Sequence, residues 1–340
     1  MLKTIIFCVS DLLYDSTEGK EFISRITTEI SSETAFCKQT HGESLVKEQG
    51  ADATDPASRD LREPVLEETV FGEREFFSLR LSKKTLNRTV VAEIDRKTIL
   101  RSEKERAEML FLTDIPYLND RVFAYNIAVL PIALSDEMLD AFPSAGYLLA
   151  GLEGVGLGYL NRVYERFHQI PWRILETERT LVREMTVEDV GALYEIYKNP
   201  SITRYTENLF EDPDEERAYT REYIDTVYRF MEFGVWIVED KKEKGRIIGR
   251  IGLSLREGFE DPELGYVIAE PCQKKGYATE VCRAIIAYMK EKFEYRTLRI
   301  IMEKENEASY RLCKKLGFAF DRTVIVNGKE MEQYILTLSG

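Results

Sequence analysis

The sequence predicts an α/β protein with two domains. Its 340 residues exceed the usual length of one domain. Apolar strands alternate with amphipathic helices in the N-terminal half, which indicates a parallel sheet with right-handed crossovers. From Arg179 the order of strands and helices changes, which indicates a separate α+β domain. We place the domains at residues 1–172 and 173–340, because Pro171 cannot continue the helix before it.

Composition restricts the class of partner. Hydrophobic residues make up 44% and charged residues 31% of the chain, as in a soluble globular protein. The formal net charge of −13 argues against nucleic acid as the main partner and leaves room for a cationic acceptor such as an amine. No segment is long and apolar enough for a transmembrane helix, so we expect no membrane partner.

Cysteine and histidine usage argues against a metal site. The five cysteines have no paired spacing, and the chain has only two histidines. We therefore expect neither a zinc site nor a disulfide framework, but reduced thiols in a cytoplasmic protein. The first residues include a lysine and an apolar run, but no small-residue cleavage pattern follows. A buried first strand is therefore favoured over a signal sequence.

The N-terminal half is predicted to begin with the strand in "IIFCVSDLLYDS", residues 5–16. Apolar residues from Phe22 to Ile30 then recur at the spacing of an amphipathic helix. Residues 38–64 are polar and poor in aromatics, and either a mobile insertion or a small cap fits them. The remaining predicted elements are a strand at 107–114, a helix at 117–125, a strand at 127–133 and a helix at 159–167.

These residues resemble a haloacid dehalogenase-like domain, which has a Rossmannoid fold. The family carries a D-x-D motif at the end of its first strand and acids after a later strand. Cys8 and Ser10 occupy the two aspartate positions, while Asp114 and Leu118 occupy the later ones. A magnesium-dependent phosphatase needs oxygen ligands and an attacking carboxylate. The resemblance thus implies a degenerate, catalytically inactive domain without metal; a phosphatase with altered ligands is the alternative.

The C-terminal half is predicted to contain helices and strands in mixed order. The predicted elements are a strand from Thr180, a helix capped by Thr186, a longer helix from near Asp214, strands at 235–240, 245–257 and 263–270, a helix after Gly276, a strand at 298–304, a helix at 306–318 and two strands ending at Leu338.

The turn "QKKGYA", residues 273–278, leads into a helix with one apolar face. A helix N-terminus presents unpaired N–H groups and partial positive charge, which suits a pyrophosphate. Gly276 allows close backbone approach, and Lys274 and Lys275 add positive charge at the rim. An ordinary glycine turn with solvated lysines is the alternative.

The segments "ELGYVIAEPCQKKGYATE" and "ENEASYRLCKKLGF" strongly resemble the GNAT N-acetyltransferases, in particular the branch with the ribosomal-protein N-terminal acetyltransferases. The resemblance spans residues 177–338 and implies a mixed, splayed sheet. In the family, Q/R-x-x-G-x-G/A binds the coenzyme A pyrophosphate, and Gln273, Gly276 and Ala278 fill its positions. The implied acyl donor is acetyl-CoA.

The resemblance also assigns site residues. Pantetheine would pair with Val267 and Ile268 like an added strand, and the Val267 amide would polarise the thioester carbonyl. Asn306 would hold the pantetheine arm or act as a plain N-cap, or do both. The residues expected to bind the cofactor are Val267, Ile268, Ala269, Gln273, Lys274, Lys275, Gly276, Tyr277, Ala278 and Asn306.

Two further residues are candidates for proton transfer. Glu263 stands where this branch commonly has an acid facing the acceptor, and it could take the amine proton; a solvated edge carboxylate is the alternative. Many family members have a tyrosine seven residues after the asparagine to protonate the leaving thiolate, but here that residue is Cys313. Tyr310 is a doubtful substitute, so the general acid is left open.

The implied function is transfer of an acetyl group from acetyl-CoA to a primary amine, a protein N-terminus or a small amine, by direct attack on the thioester. Acceptor specificity is expected from residues 199–215, with Glu207, Glu211 and Asp212, and from the closing strands around residues 326–334. A non-catalytic acyl-CoA-binding module is the alternative. Homodimer formation is left open.

Overall fold

A computed structural model describes residues 2–10, 13, 15–40, 66–71, 74–81, 102–143, 145–243 and 245–338, with only the backbone described at 31–40, 66–71 and 74–81. The chain divides into two compact units, Met1–Ile170 and Pro171–Gly340. Except for residues 38–40, the segment predicted as an insertion or cap lies outside the described residues.

The N-terminal unit contains a five-stranded sheet in the order β2-β3-β1-β4-β5. Its strands are β1 (Thr4–Ser10), β2 (Leu66–Phe71), β3 (Arg74–Leu81), β4 (Met109–Thr113) and β5 (Ala128–Pro131). Strand β1 pairs in parallel with β3 and β4, and β4 pairs in parallel with β5. The predicted parallel sheet is therefore confirmed. The hairpin of β2 and β3 was not predicted.

Helices cover both faces of this sheet. The helices of this unit are α1 (Thr17–Thr40), α2 (Glu103–Arg106), α3 (Pro116–Phe123), α4 (Asp136–Leu139) and α5 (Leu157–Phe167), of which α1, α3 and α5 contribute to the buried clusters. Alternate β1 residues face opposite sides: Phe7 packs in the cluster that contains Phe22 of α1, whereas Cys8 packs in the cluster that contains Leu118 of α3. The continuous apolar run of β1 thus reflects burial on both faces.

The C-terminal unit contains an eight-stranded sheet in the order β12-β13-β11-β10-β9-β8-β7-β6. Its strands are β6 (Arg173–Glu176), β7 (Thr180–Arg183), β8 (Val235–Asp240), β9 (Arg246–Ser254), β10 (Glu263–Ile268), β11 (Thr297–Met302), β12 (Ala319–Val326) and β13 (Lys329–Thr337). Its helices are α6 (Val190–Tyr197), α7 (Pro200–Thr203), α8 (Pro213–Tyr223), α9 (Arg229–Met231), α10 (Tyr277–Lys292) and α11 (Glu307–Leu316).

The pairing of β10 differs on its two sides. Strand β10 pairs antiparallel with β9 along its whole length, from Glu263 to Ile268. With β11 it pairs in parallel at a single position, Glu263 opposite Arg299. Residues 245–338 are all described, so β10 and β11 diverge beyond this position and leave a gap. The mixed, splayed sheet implied by the family resemblance is confirmed.

Helices α10 and α11 cover one face of this sheet. The apolar face of α10, with Val281, Ile285 and Met289, packs in one buried cluster with Trp236 of β8 and Leu298 of β11. The same cluster contains Cys313 of α11. The longer helix predicted from Asp214 begins at Pro213 and becomes a short π-helix at Ile224–Tyr228.

Candidate functional site

The backbone of β10 presents alternate residues to β9 and to the gap. In an antiparallel ladder, every second residue exchanges hydrogen bonds with its partner strand. The N–H of Ala269 donates to the Ile248 carbonyl of β9 at 2.8 Å. Two residues earlier, the backbone groups of Val267 therefore face β9 as well, opposite Arg250.

The intervening residues of β10 face the gap. The N–H of Arg299 on β11 donates to the Pro262 carbonyl at 3.0 Å, which fixes the side that faces β11. By alternation, the backbone groups of Tyr266 and Ile268 point to the same side. Because β11 has diverged there, these groups border the gap between β10 and β11.

The register contradicts the predicted role of the Val267 amide. Its N–H points away from the gap toward β9, so the amides of Tyr266 and Ile268 have the direction that was expected of Val267. The Val267 side chain packs beside Tyr197 of α6 on the face opposite α10. The Ala269 amide is likewise bound to β9. The sequence could not show this, because hydrogen-bond direction depends on strand register.

The turn before α10 combines two left-handed residues. Lys274 has a φ of 57° and Gly276 a φ of 88°, and glycine adopts this conformation without strain. Lys274 and Lys275 are exposed, and Ala278 is half-buried in the first turn of the helix. The exposed turn thus places small residues at a helix N-terminus, as the sequence indicates for an anion site.

Gln273 closes this turn against β10. Its side-chain Nε2 donates to the Ile268 carbonyl at 2.9 Å. The family position predicted to bind pyrophosphate therefore ties the turn to the strand that borders the gap. Tyr277, the first residue of α10, is buried, and its hydroxyl donates to Asp240 Oδ2 at 3.1 Å.

Arg179, which the sequence did not single out, contacts this turn. Its Nη1 donates to the Lys275 carbonyl at 3.0 Å, and its Nε donates to Glu280 Oε2 at 2.6 Å. Burial raises the pKa of the Glu280 carboxyl, but hydrogen bonds from Thr177 and Arg179 outweigh it and hold the pKa below its usual value. No local motif marks Arg179, because its partners lie far along the chain.

The start of α11 faces Tyr266 of β10. Asn306 is the N-cap, and its Oδ1 accepts from the Ser309 N–H at 3.1 Å. The Tyr266 hydroxyl and the Ser309 hydroxyl lie 2.6 Å apart and join β10 to the first turn of α11. Burial raises the pKa of Tyr266 well above its usual value, so this hydroxyl stays protonated. No local sequence pattern marks this pair, because its two residues lie far apart along the chain.

Cys313 lies inside the core. Its side chain is fully buried, and burial raises its pKa to about 12. The thiol is therefore neutral at ordinary pH. Tyr310, one turn earlier, is 43% exposed and contacts the ring of Tyr334 instead.

Glu263 lies on the other face of β10 and is paired with an arginine. Its carboxylate accepts from Arg256 Nε at 2.7 Å and from Arg256 Nη2 at 3.4 Å. The hydrogen bond with Glu263 raises the pKa of Arg256. A Cβ at the adjacent Gly265 would meet no described heavy atom within 4 Å apart from its chain neighbours. Open space thus adjoins Gly265 on this face, whereas the Glu263 side chain is only 13% exposed and has an ion-pair partner that the sequence did not reveal.

The expected acceptor side contains a second arginine. Arg250 of β9 donates from Nε to the Tyr197 hydroxyl at 2.7 Å, with the guanidinium 4.8 Å from the ring centroid. Of the acids singled out in the sequence, Glu207 and Glu211 are exposed, whereas Asp212 caps α8 by accepting from a backbone N–H.

The end of β1 in the N-terminal unit has its own polar contact. The Ser10 N–H donates to Asp114 Oδ1 at 2.7 Å, and the Ser10 hydroxyl donates to Oδ2 at 2.5 Å. Cys8 is fully buried. Its burial raises the pKa of the thiol, and the negative charge of the nearby Asp114 raises it further. Among the described residues, no group of three histidine, cysteine or acidic side chains could hold a metal ion.

In the part of the chain that the structure describes, none of the helices has the length and apolar character needed to span a bilayer.

Comparison with known proteins finds similarity in the C-terminal unit. Residues 179–319 match the family model of the acetyltransferase (GNAT) domain. The chain is 29% identical over 148 residues to the uncharacterised N-acetyltransferase YoaA of Bacillus subtilis (strain 168), covering 43% of this chain and 82% of the relative. It is 24% identical over 155 residues to the spermidine N(1)-acetyltransferase of Escherichia coli (strain K12), covering 46% of this chain and 77% of the relative.

A solved structure is similar over the same half of the chain. It is the crystal structure of an acetyltransferase from Agrobacterium tumefaciens str. C58, with 23% identity and a TM-score of 0.42, covering 48% of this chain and 92% of that one. The family match lies wholly within the C-terminal unit. That unit therefore contains a region similar to the acetyltransferase (GNAT) domain, which supports an acyltransferase enzyme.

Proposed function

We propose that the C-terminal unit transfers the acetyl group of acetyl-CoA to a primary amine, which attacks the thioester directly. The observation that carries the proposal is the divergence of β10 from β11 immediately before the turn of α10. An amide-containing chain fits beside a free strand edge, and a pyrophosphate fits a helix N-terminus. Both features meet at one end of β10, within the residues that match the family model.

The acyl donor is proposed to lie along the gap. Pantetheine amides would pair with the Tyr266 backbone and with the Ile268 N–H, which face the gap, since the Ile268 carbonyl already accepts from Gln273. The pyrophosphate would lie at the N–H groups of residues 276–278. Gly276 supports this arrangement, because its φ of 88° is a conformation that glycine adopts without strain and because glycine presents no side chain to the ligand. One of the gap-facing amides would also stabilise the oxyanion as charge develops on the thioester.

We propose Glu263 as the group that takes the amine proton. Free amines are protonated at pH 7, so the attacking nitrogen must lose a proton to a base or to a water chain. Glu263 and the open space beside Gly265 lie on the same face of β10. Because Arg256 occupies both carboxylate oxygens, transfer through a bridging water fits this geometry better than direct contact.

We propose that the Tyr266 and Ser309 hydroxyls stabilise the leaving thiolate. They join β10 and α11 at the edge of the gap. A tyrosine whose pKa is raised far above that of a thiol is a poor proton donor but a constant hydrogen-bond donor. A hydrogen bond to the departing sulfur would therefore lower the barrier without full proton transfer, and solvent would protonate the thiolate afterwards.

The acceptor is proposed to be a cationic small amine or a protein N-terminus. Exposed acids on the 199–215 loop, Glu207 and Glu211, support a cationic acceptor. The similarity to a spermidine N(1)-acetyltransferase supports the small-amine class. A module that binds acyl-CoA without turnover is the competing function.

For the N-terminal unit we propose a degenerate haloacid dehalogenase-like domain. Parallel strands β1 and β4 bring Ser10 and Asp114 together at their carboxyl ends, as the family places its acids. Ser10 occupies both oxygens of Asp114, and Cys8 is buried as a neutral thiol. These features support an inactive site.

The acyl-donor site predicts a loss of binding in Gly276→Glu. A carboxylate at φ 88° would strain the turn and repel the pyrophosphate. Calorimetry should show affinity for CoA reduced at least about 10-fold, while the strain lowers the melting temperature by only a few degrees and leaves the protein folded. Mass spectrometry of the wild-type protein with acetyl-CoA, spermidine and peptides with free N-termini should show an acetylated amine. CoA binding without any acetylated amine would instead support the binding module.

The base assignment predicts a pH-dependent defect in Glu263→Gln. Turnover should fall by about 10²-fold near pH 7, and the deficit should shrink at higher pH as more acceptor arrives neutral. Arg256→Gln is the matched control, because it breaks the same ion pair but keeps the carboxylate. Equal, pH-independent defects in both variants would mean that the ion pair is only structural.

The thiolate assignment predicts different outcomes for Tyr266→Phe and Cys313→Ala. Loss of one hydrogen bond to a charged group should slow turnover about 10-fold or more in Tyr266→Phe, with unchanged affinity for CoA. Cys313→Ala removes only a buried thiol and should stay within about twofold. The assignment would be contradicted if Cys313→Ala folded but lost most of its turnover while Tyr266→Phe kept normal turnover.

The N-terminal assignment predicts no magnesium-dependent phosphatase activity. The full-length protein should release no phosphate from a general aryl phosphate above the rate of heat-denatured protein. Magnesium-dependent release that disappears in Asp114→Asn would show an active phosphatase instead.

A further inference from the structure

Arg179 connects the turn between β6 and β7 to the first turn of α10. Its backbone N–H donates to Glu280 Oε1 at 3.0 Å, and its Nε and Nη2 both lie 2.6 Å from Oε2. Its Nη1 donates to the Lys275 carbonyl, and its guanidinium lies 4.2 Å from the ring centroid of Tyr277. One side chain thus contacts a carboxylate, a carbonyl and an aromatic ring around Gly276.

Two of these contacts neutralise groups that would oppose an anion. Glu280 lies in the first turn of α10, close to the N-terminus where the partial positive charge is concentrated. A free carboxylate there would compete with a bound anion and repel it. The Lys275 carbonyl is the negative end of a peptide dipole in the same turn. Arg179 binds both, so the N–H groups of the turn remain its main electrostatic feature.

The remaining contacts fix the position of the guanidinium. The Arg179 guanidinium lies over the ring of Tyr277 in a cation–π contact. The Tyr277 hydroxyl is held by Asp240 at the end of β8. The Arg179 carbonyl accepts from the Lys241 N–H at 2.9 Å. The arginine is therefore positioned by the sheet, independently of any ligand.

We propose that Arg179 is a positioning residue for the phosphate end of the acyl donor. It holds Glu280 and the Lys275 carbonyl, so that the turn at Gly276 presents N–H groups to the pyrophosphate. This inference rests on the proposed function, since it assumes that acetyl-CoA binds at this turn. It predicts that Arg179 matters for ligands with phosphate groups and not for the pantetheine arm.

The decisive test combines Arg179→Met with Glu280→Gln. Arg179→Met keeps an unbranched stem over Tyr277 but leaves Glu280 without its ion-pair partner. KM for acetyl-CoA should rise about 10-fold or more, with kcat within about twofold. KM for S-acetylpantetheine, which has no phosphate, should stay unchanged. Adding Glu280→Gln to Arg179→Met should restore most of the affinity for acetyl-CoA, because the repelling charge is gone.

Controls separate this role from a purely structural one. Arg217→Met removes an exposed ion pair with Asp214 and should change neither KM. If Arg179→Met does not fold, Arg179→Lys replaces it; the lysine keeps a charge but cannot bind Glu280 and the Lys275 carbonyl together, so an intermediate KM is expected. Equal losses for both thioesters, or no recovery on adding Glu280→Gln, would overturn the inference. Failure of the wild-type protein to bind CoA would overturn the proposed function itself.

Discussion

The C-terminal unit depends on one constraint: β10 is bound to β9 along its full length but to β11 at a single residue pair. The antiparallel ladder with β9 holds β10 in place without help from β11. The other edge of the strand can therefore stay open inside a continuous sheet, where an unpaired backbone would otherwise be costly. An amide-bearing ligand can satisfy this edge, which is why the gap and the acyl donor belong together in our account.

The alternation of residues along β10 places two polar contacts on opposite faces of the strand. The side chain of Tyr266 points toward α11, where it contacts Ser309. Glu263, on the other face, contacts Arg256 beside the open space at Gly265. In the proposed mechanism, one short strand would supply both the thiolate side and the amine side of the same thioester, with backbone amides between them. A two-residue period accounts for this division without any loop rearrangement.

The sequence predicted features that depend on local spacing and missed those that depend on register. The turn at Gly276 and the apolar face of α10 could be recognised, because both lie within a few neighbouring residues. The direction of the Val267 amide could not, since a strand shows which side chains alternate but not which partner its N–H groups meet. Arg179 was missed for a related reason: its contacts with Lys275 and Glu280 join segments about a hundred residues apart. The β2–β3 hairpin was missed because charged residues interrupt its apolar pattern, as is common near a sheet edge.

A crystal structure of the protein with bound CoA tests the central claim most directly. We expect the pantetheine amides within hydrogen-bonding distance of the Tyr266 and Ile268 backbone, with the pyrophosphate at the N–H groups that follow Gly276 and the Val267 N–H still bonded to β9. Pantetheine bound outside the gap, or β10 and β11 paired along their length with CoA elsewhere, would contradict the account.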